Sequence, residues 1–109
     1  MKIIYHPEPD SIGLPGVLYA LGEPVRLTIV TRLAAEGELT CGVAYPDPIP
    51  KSTLSHHLKI LREAGVIHVR QQGREYHNSL RRDDLEARFP GLLRAIIDVA
   101  VPRGVRNEG

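Results

Sequence analysis

The run Lys51-Ser-Thr-Leu-Ser-His-His-Leu-Lys-Ile-Leu-Arg-Glu-Ala-Gly65 restricts the fold more than any other part of the chain. Leu54, Leu58 and Leu61 recur at i, i+4 and i+7, so they share one face of a helix. Ser52, Ser55, His56 and Lys59 fall on the other face. A surface helix kept only for solubility carries Glu and Lys outward, whereas these outward side chains are short, polar and mostly uncharged. Small hydrogen-bonding groups near a helix start suit base edges in a DNA major groove. An ordinary amphipathic helix with a solvated face accounts equally well for the helix taken alone, so the flanks decide.

Upstream, Tyr45-Pro-Asp-Pro-Ile-Pro50 places proline at every second position, which excludes a helix. This stiff connector sets the entry of the next helix, with Ser52 or Thr53 expected as its cap. Downstream of Gly65 the period changes. Val66-Ile-His-Val-Arg70 and Glu75-Tyr-His-Asn-Ser-Leu80 read as two short strands around a Gln71-Gln-Gly-Arg74 loop. That hairpin carries Arg70 and Arg74 at its tip and would set His68 opposite His77.

The remaining segments read as helices. Residues 1–10 hold Pro7 and Pro9 and are expected to be irregular. A first helix, capped by Asp10 or Ser11, is expected to reach Leu21 with Ile12, Val17, Leu18 and Leu21 on its apolar side. Pro24 opens a second, in which Val25, Ile29 and Leu33, widened by Leu27, Val30 and Ala34, face a core, while Arg26 and Arg32 stay outside. Gly37 stops it. Residues 39–44 suggest a short helical turn. Asp83 or Asp84 is placed to cap a last helix through Leu85, Phe89, Leu92, Leu93, Ile96, Ile97 and Ala100, kinked or restarted at Pro90. Residues 102–109 read as a polar, frayed tail.

With 109 residues and 42% hydrophobic content, the chain has enough material for one domain with one modest core. Its formal net charge is only +1, so any positive surface for nucleic acid must be local. Cys41 is the sole cysteine, which rules out an internal disulfide and fits a reducing compartment. No apolar run approaches the roughly 18 residues of a membrane span, and the apolar start is too short for a signal peptide. The expectation is a cytoplasmic protein. No glycine-rich phosphate loop, Gly-x-Ser-x-Gly, His-Glu-x-x-His or cysteine pair is present, so an enzyme is not expected.

The expected fold is mainly α (α+β): one winged helix-turn-helix domain over residues 1–109, with about five helices and a two-stranded hairpin wing. Three stretches also resemble the ArsR/SmtB-type bacterial transcriptional regulators. They are Ala20-Leu-Gly-Glu-Pro-Val-Arg-Leu27, the run from Lys51 to Gly65, and Gly73-Arg-Glu-Tyr76. The resemblance implies a homodimer that represses its own operon by binding double-stranded DNA through the residue 52–64 helix. It implies that the first and last helices pair the subunits, through Val17, Leu18, Leu21, Phe89, Leu92, Leu93, Ile96 and Ile97. The apolar excess of the last helix fits that independently, although it could instead close the monomer's own core.

Ser52, Ser55, His56 and Lys59 are the candidates for base edges, and Lys51, Thr53, Arg62, Arg70 and Arg74 for phosphates. Arg70 and Arg74 could instead enter the minor groove. His57 lies nearer the apolar side and either touches phosphate or packs. The chain departs from the metal-sensing branches it resembles. Glu38-Leu-Thr-Cys-Gly42 has a single cysteine where those sensors carry Cys-x-Cys, and the last helix has no histidine. No metal and no cofactor are therefore expected. Cys41 is either a redox switch or a small buried hydrophobe. An organic effector stays open, as does a winged-helix module that dimerises without binding specific DNA.

Overall fold

A computed structural model describes residues 3–101; the expected tail at 102–109 lies outside them. A 3-10 turn at Pro9–Ser11 precedes α1 (Leu14–Leu21), α2 (Pro24–Glu36), β1 (Glu38–Thr40), a second 3-10 turn (Cys41–Val43), α3 (Lys51–Glu63), β2 (Ile67–Gln72), β3 (Glu75–Leu80), α4 (Arg82–Arg88) and α5 (Leu92–Ala100). This is the winged helix-turn-helix arrangement.

The sheet has three strands rather than two, in the order β1-β3-β2, all antiparallel. Residues 38–40 are too few to display an alternating pattern, yet Leu39 pairs with Asn78, and the Asn78 side-chain amide donates to the Leu39 carbonyl at 3.1 Å. The expected helical turn over 39–44 therefore survives only as the 3-10 turn that follows β1. The hairpin is tighter than expected. Gln72 pairs with Glu75, leaving Gly73 and Arg74 as the turn, with Gly73 at φ 62. That register sets His77 opposite Arg70 and His68 opposite Ser79, so the two histidines do not face each other.

Helix starts also shift. Gly13, not Asp10 or Ser11, precedes α1, because the chain extends at Ile12 before Pro15 restarts it. Helix α3 begins at Lys51, so the capping position falls on Pro50, and Ser52 and Thr53 sit inside the first turn. Arg81 occupies the cap position of α4. Asp83 and Asp84 lie within its first turn, where they oppose the helix dipole favourably. Pro90 and a left-handed Gly91 split the expected last helix into α4 and α5.

The core gathers Ile29, Val30 and Leu33 of α2, Leu58 and Leu61 of α3, Val66 and Ile67 beside the sheet, Val17, Ala20 and Leu21 of α1, and Leu85 and Leu93. Arg26, expected outside, is only 5% exposed. It stands at i to Ile29, Val30 and Leu33 at i+3, i+4 and i+7, which places it on the core-facing stripe.

Candidate nucleic-acid interface

Helix α3 packs Leu58 and Leu61 inward, and this fixes which side chains turn out. Lys51, Ser52, Thr53, Ser55, His56 and Lys59 are all exposed, a compact polar strip along the first two turns. None of them makes an ion pair among the described residues. The strip therefore offers free donors and acceptors of the kind that base edges and phosphates accept.

His57 does not join it. Its ring turns toward α2, its side chain is only 12% exposed, and its Nδ1 lies 3.1 Å from Arg26 Nη1 and 3.8 Å from Glu23 Oε1. The rings of His56 and His57 are 6.0 Å apart and tilted by 52°, one outward and one inward. Arg62 is also taken up within the molecule, since its Nη1 donates to the Tyr5 carbonyl at 2.6 Å. Among the α3 candidates, packing takes His57 off the free surface, while Arg62 is engaged by a hydrogen bond that is itself exposed.

The wing divides similarly. Arg70 donates to both Glu38 oxygens, at 2.9 and 3.3 Å, and to Gln72 Oε1 at 2.7 Å. That guanidinium, donating to Glu38, holds the carboxyl below its usual range. Arg74, at the turn itself, is exposed and makes no ion pair among the described residues. Arg74→Ala should thus weaken DNA binding roughly threefold to tenfold, and Arg70→Ala by less, because Arg70 must first leave Glu38. Titration of both variants against duplex DNA at one salt concentration checks this, and equal losses would contradict it.

Elsewhere, Cys41 is half-buried, and its Sγ accepts from Asn78 Nδ2 at 3.5 Å. Among the described residues no three His, Cys, Asp or Glu side chains converge as a metal site. No helix is long and apolar enough to cross a membrane among the described residues. Of the residues expected at a subunit interface, Val17, Leu21 and Leu93 lie in the monomer core, Phe89, Leu92, Ile96 and Ile97 are half-buried, and Leu18 is 46% exposed. Their burial leaves the first three little surface for a partner. Val99, absent from that expected set, is 85% exposed on α5.

Sequence reasoning placed Arg26 on the surface and passed over Glu38 and the segment before Pro7. For Arg26 the signal was present in its spacing to the core stripe. For the others the partners come from distant segments.

The helix-turn-helix domain family matches residues 21–70, the span from the end of α1 into the first strand of the wing. The uncharacterized HTH-type transcriptional regulator YceK of Bacillus subtilis (strain 168) is 39% identical over 82 residues, covering 73% of this chain and 82% of that one. A transcriptional repressor SmtB homolog of Synechocystis is 34% identical over 61 residues, 56% of this chain and 46% of its own length. In fold, the transcriptional repressor BigR from Xylella fastidiosa aligns with a TM-score of 0.62 at 30% identity, over 82% of this chain and 87% of that one. The free strip on α3, the wing beside it and these relatives agree: the chain belongs to the ArsR/SmtB family of winged helix-turn-helix transcriptional regulators, DNA-binding proteins and not enzymes.

Proposed function

We propose that the protein is a homodimeric repressor of its own operon, acting in the cytoplasm on an inverted-repeat operator. The observation that carries this reading is the unpaired strip Ser52, Ser55, His56 and Lys59 beside a free Arg74. In this reading the strip reads bases in the major groove, Lys51 and Thr53 hold phosphates, and Arg74 anchors the wing. A second subunit is supported by exposed Leu18 on α1 and Val99 on α5. These helices adjoin, since Val17 and Leu21 of α1 line one small crevice with Leu92 and Leu93 of α5. A two-fold dimer places its half-sites about 10 bp apart.

Fluorescence anisotropy on a duplex from the region upstream of its own gene, against a scrambled duplex, tests the reading across a salt series. Lys51, Lys59 and Arg74 from two subunits give an expected slope of log affinity against log salt of about −5. Preference for the native duplex with such a slope supports the repressor. Equal affinity for both leaves a nonspecific binder, and no binding at low salt points to a module that only dimerises.

A further inference from the structure

Residues 3–7 run across the molecule outside any helix or strand, yet Tyr5, His6 and Pro7 each hold a different element. The Tyr5 carbonyl accepts from Arg62 of α3 at 2.6 Å. His6 Nε2 accepts from the backbone N–H of Val69 on β2 at 2.9 Å, and its ring stacks on His68, with centroids 4.5 Å apart and planes 14° from parallel. The Pro7 carbonyl accepts from Arg81 Nη1, just before α4, at 2.9 Å. Tyr5 and His6 therefore tie the recognition helix to the wing, the two parts that a winged helix lays on DNA, and Pro7 fixes the end of the segment beside α4.

We propose that residues 5–7 are a strap that positions the wing against α3 for DNA docking, and that it holds only while His6 is neutral. This rests on the reading above that both elements touch DNA. The chemistry of the imidazole supplies the condition. Val69 offers a donor whose direction is fixed by the strand, so His6 must present a lone pair at Nε2. A protonated ring carries N–H groups on both nitrogens, and donor would then face donor.

The surroundings oppose the proton as well. Next to His6 stand His68 on β2, Arg62 on α3 and Arg81 before α4. Arg82, Asp83 and Asp84 line the cleft on the α4 side, where Asp84 is already paired with Arg81 at 2.9 Å. On the wing side lies Arg70, held by Glu38. Burial first, then the charges of His68, Arg62 and Arg81, push His6 below its ordinary value of 6.5, and only a backbone contact to Ile4 works the other way. Because the folded value is the lower one, the strap's contribution is fully present above about pH 6.5. It is lost as pH falls through the depressed value.

The test uses the full chain as wild type, His6→Gln and His6→Phe. Glutamine keeps an acceptor that does not titrate, and phenylalanine keeps a ring with no acceptor. Two quantities are followed from about pH 7.5 to about pH 5: the Val69 amide resonance of the free protein, and affinity for the upstream duplex. In wild type the Val69 resonance should move with a midpoint below about 6.5. The ratio of wild-type to His6→Gln affinity should start near unity and fall roughly threefold to tenfold, the range of one hydrogen bond. His6→Phe should be weaker by a similar factor already at the upper pH. Taking the ratio removes every effect of pH that the two proteins share. A static Val69 resonance overturns the strap. A ratio that stays constant while Val69 titrates overturns its positioning role. Wild type that shows no preference for the duplex at any pH removes the DNA reading, and the positioning role with it, while the Val69 titration still reports the strap itself.

Discussion

Gly65→Ala should destabilise the protein by about 2–5 kcal/mol, more than a methyl group added at any other glycine among the described residues. Gly65 ends α3 in a Schellman motif: its N–H bonds the Arg62 carbonyl at 3.1 Å, and the Val66 N–H bonds the Leu61 carbonyl at 3.0 Å. Its φ is +87, so any side chain carries left-handed strain of about 1–2 kcal/mol. A Cβ there would also fall 2.5 Å from Ile12 Cγ1 and 2.8 Å from Ile12 Cδ1. Ile12 is 1% exposed and cannot swing aside, so the overlap adds to the strain. The two contributions separate in a double-mutant cycle by urea unfolding. In an Ile12→Ala background, Gly65→Ala should cost only the strain of about 1–2 kcal/mol. An unchanged penalty in that background would show that Ile12 is not the obstacle. Gly65 is also the corner between α3 and β2, so whatever fraction folds should present a displaced wing and bind DNA less tightly.

That corner was readable in advance, because a helical period broke at a glycine and a strand period began. The same holds for α2, α3, the hairpin and the split at Pro90, each marked by periodicity or punctuation within a dozen residues. Strand β1 was not readable, since its three residues carry no period and owe their conformation to Asn78 on β3. The candidate interface divides along the same line. Exposure of Ser52, His56 and Lys59 follows from the wheel of α3 alone. The engagement of Arg62 by the Tyr5 carbonyl, of Arg70 by Glu38 and of His6 by Val69 involves partners 57, 32 and 63 residues away. No local pattern encodes such pairs. Arg26 differs from these cases. Its spacing to Ile29, Val30 and Leu33 announced the core face, and its charge argued for the surface. The structure resolves the conflict by giving the charge partners inside.

Those partners make Arg26→Met the second large effect expected, a loss of about 2–4 kcal/mol. The guanidinium donates to the Ala20 carbonyl at 2.7 Å and the Tyr19 carbonyl at 3.3 Å, both at the end of α1. It also lies over the Tyr19 ring at 5.3 Å and meets His57 Nδ1 at 3.1 Å. A cation at a helix C-terminus suits the dipole, and this one satisfies the Ala20 carbonyl, while the Tyr19 carbonyl it also reaches accepts from the Gly22 N–H at 3.3 Å as well. Methionine keeps the apolar stem but strands the Ala20 carbonyl and frees His57 on the inner side of α3. Arg26→Lys should fall between the two, since one ammonium cannot reach three acceptors spread around a planar fork. Urea unfolding of the three proteins gives the stabilities, and anisotropy under conditions where all are folded gives the affinities. If Arg26 joins α1 to the recognition helix as these contacts indicate, the folded methionine variant should also bind DNA more weakly, because His57 no longer fixes how α3 sits on α2. A loss of stability below about 1 kcal/mol would mean that water replaces the guanidinium, leaving the arginine a tolerated buried charge and not the joint between the two helices.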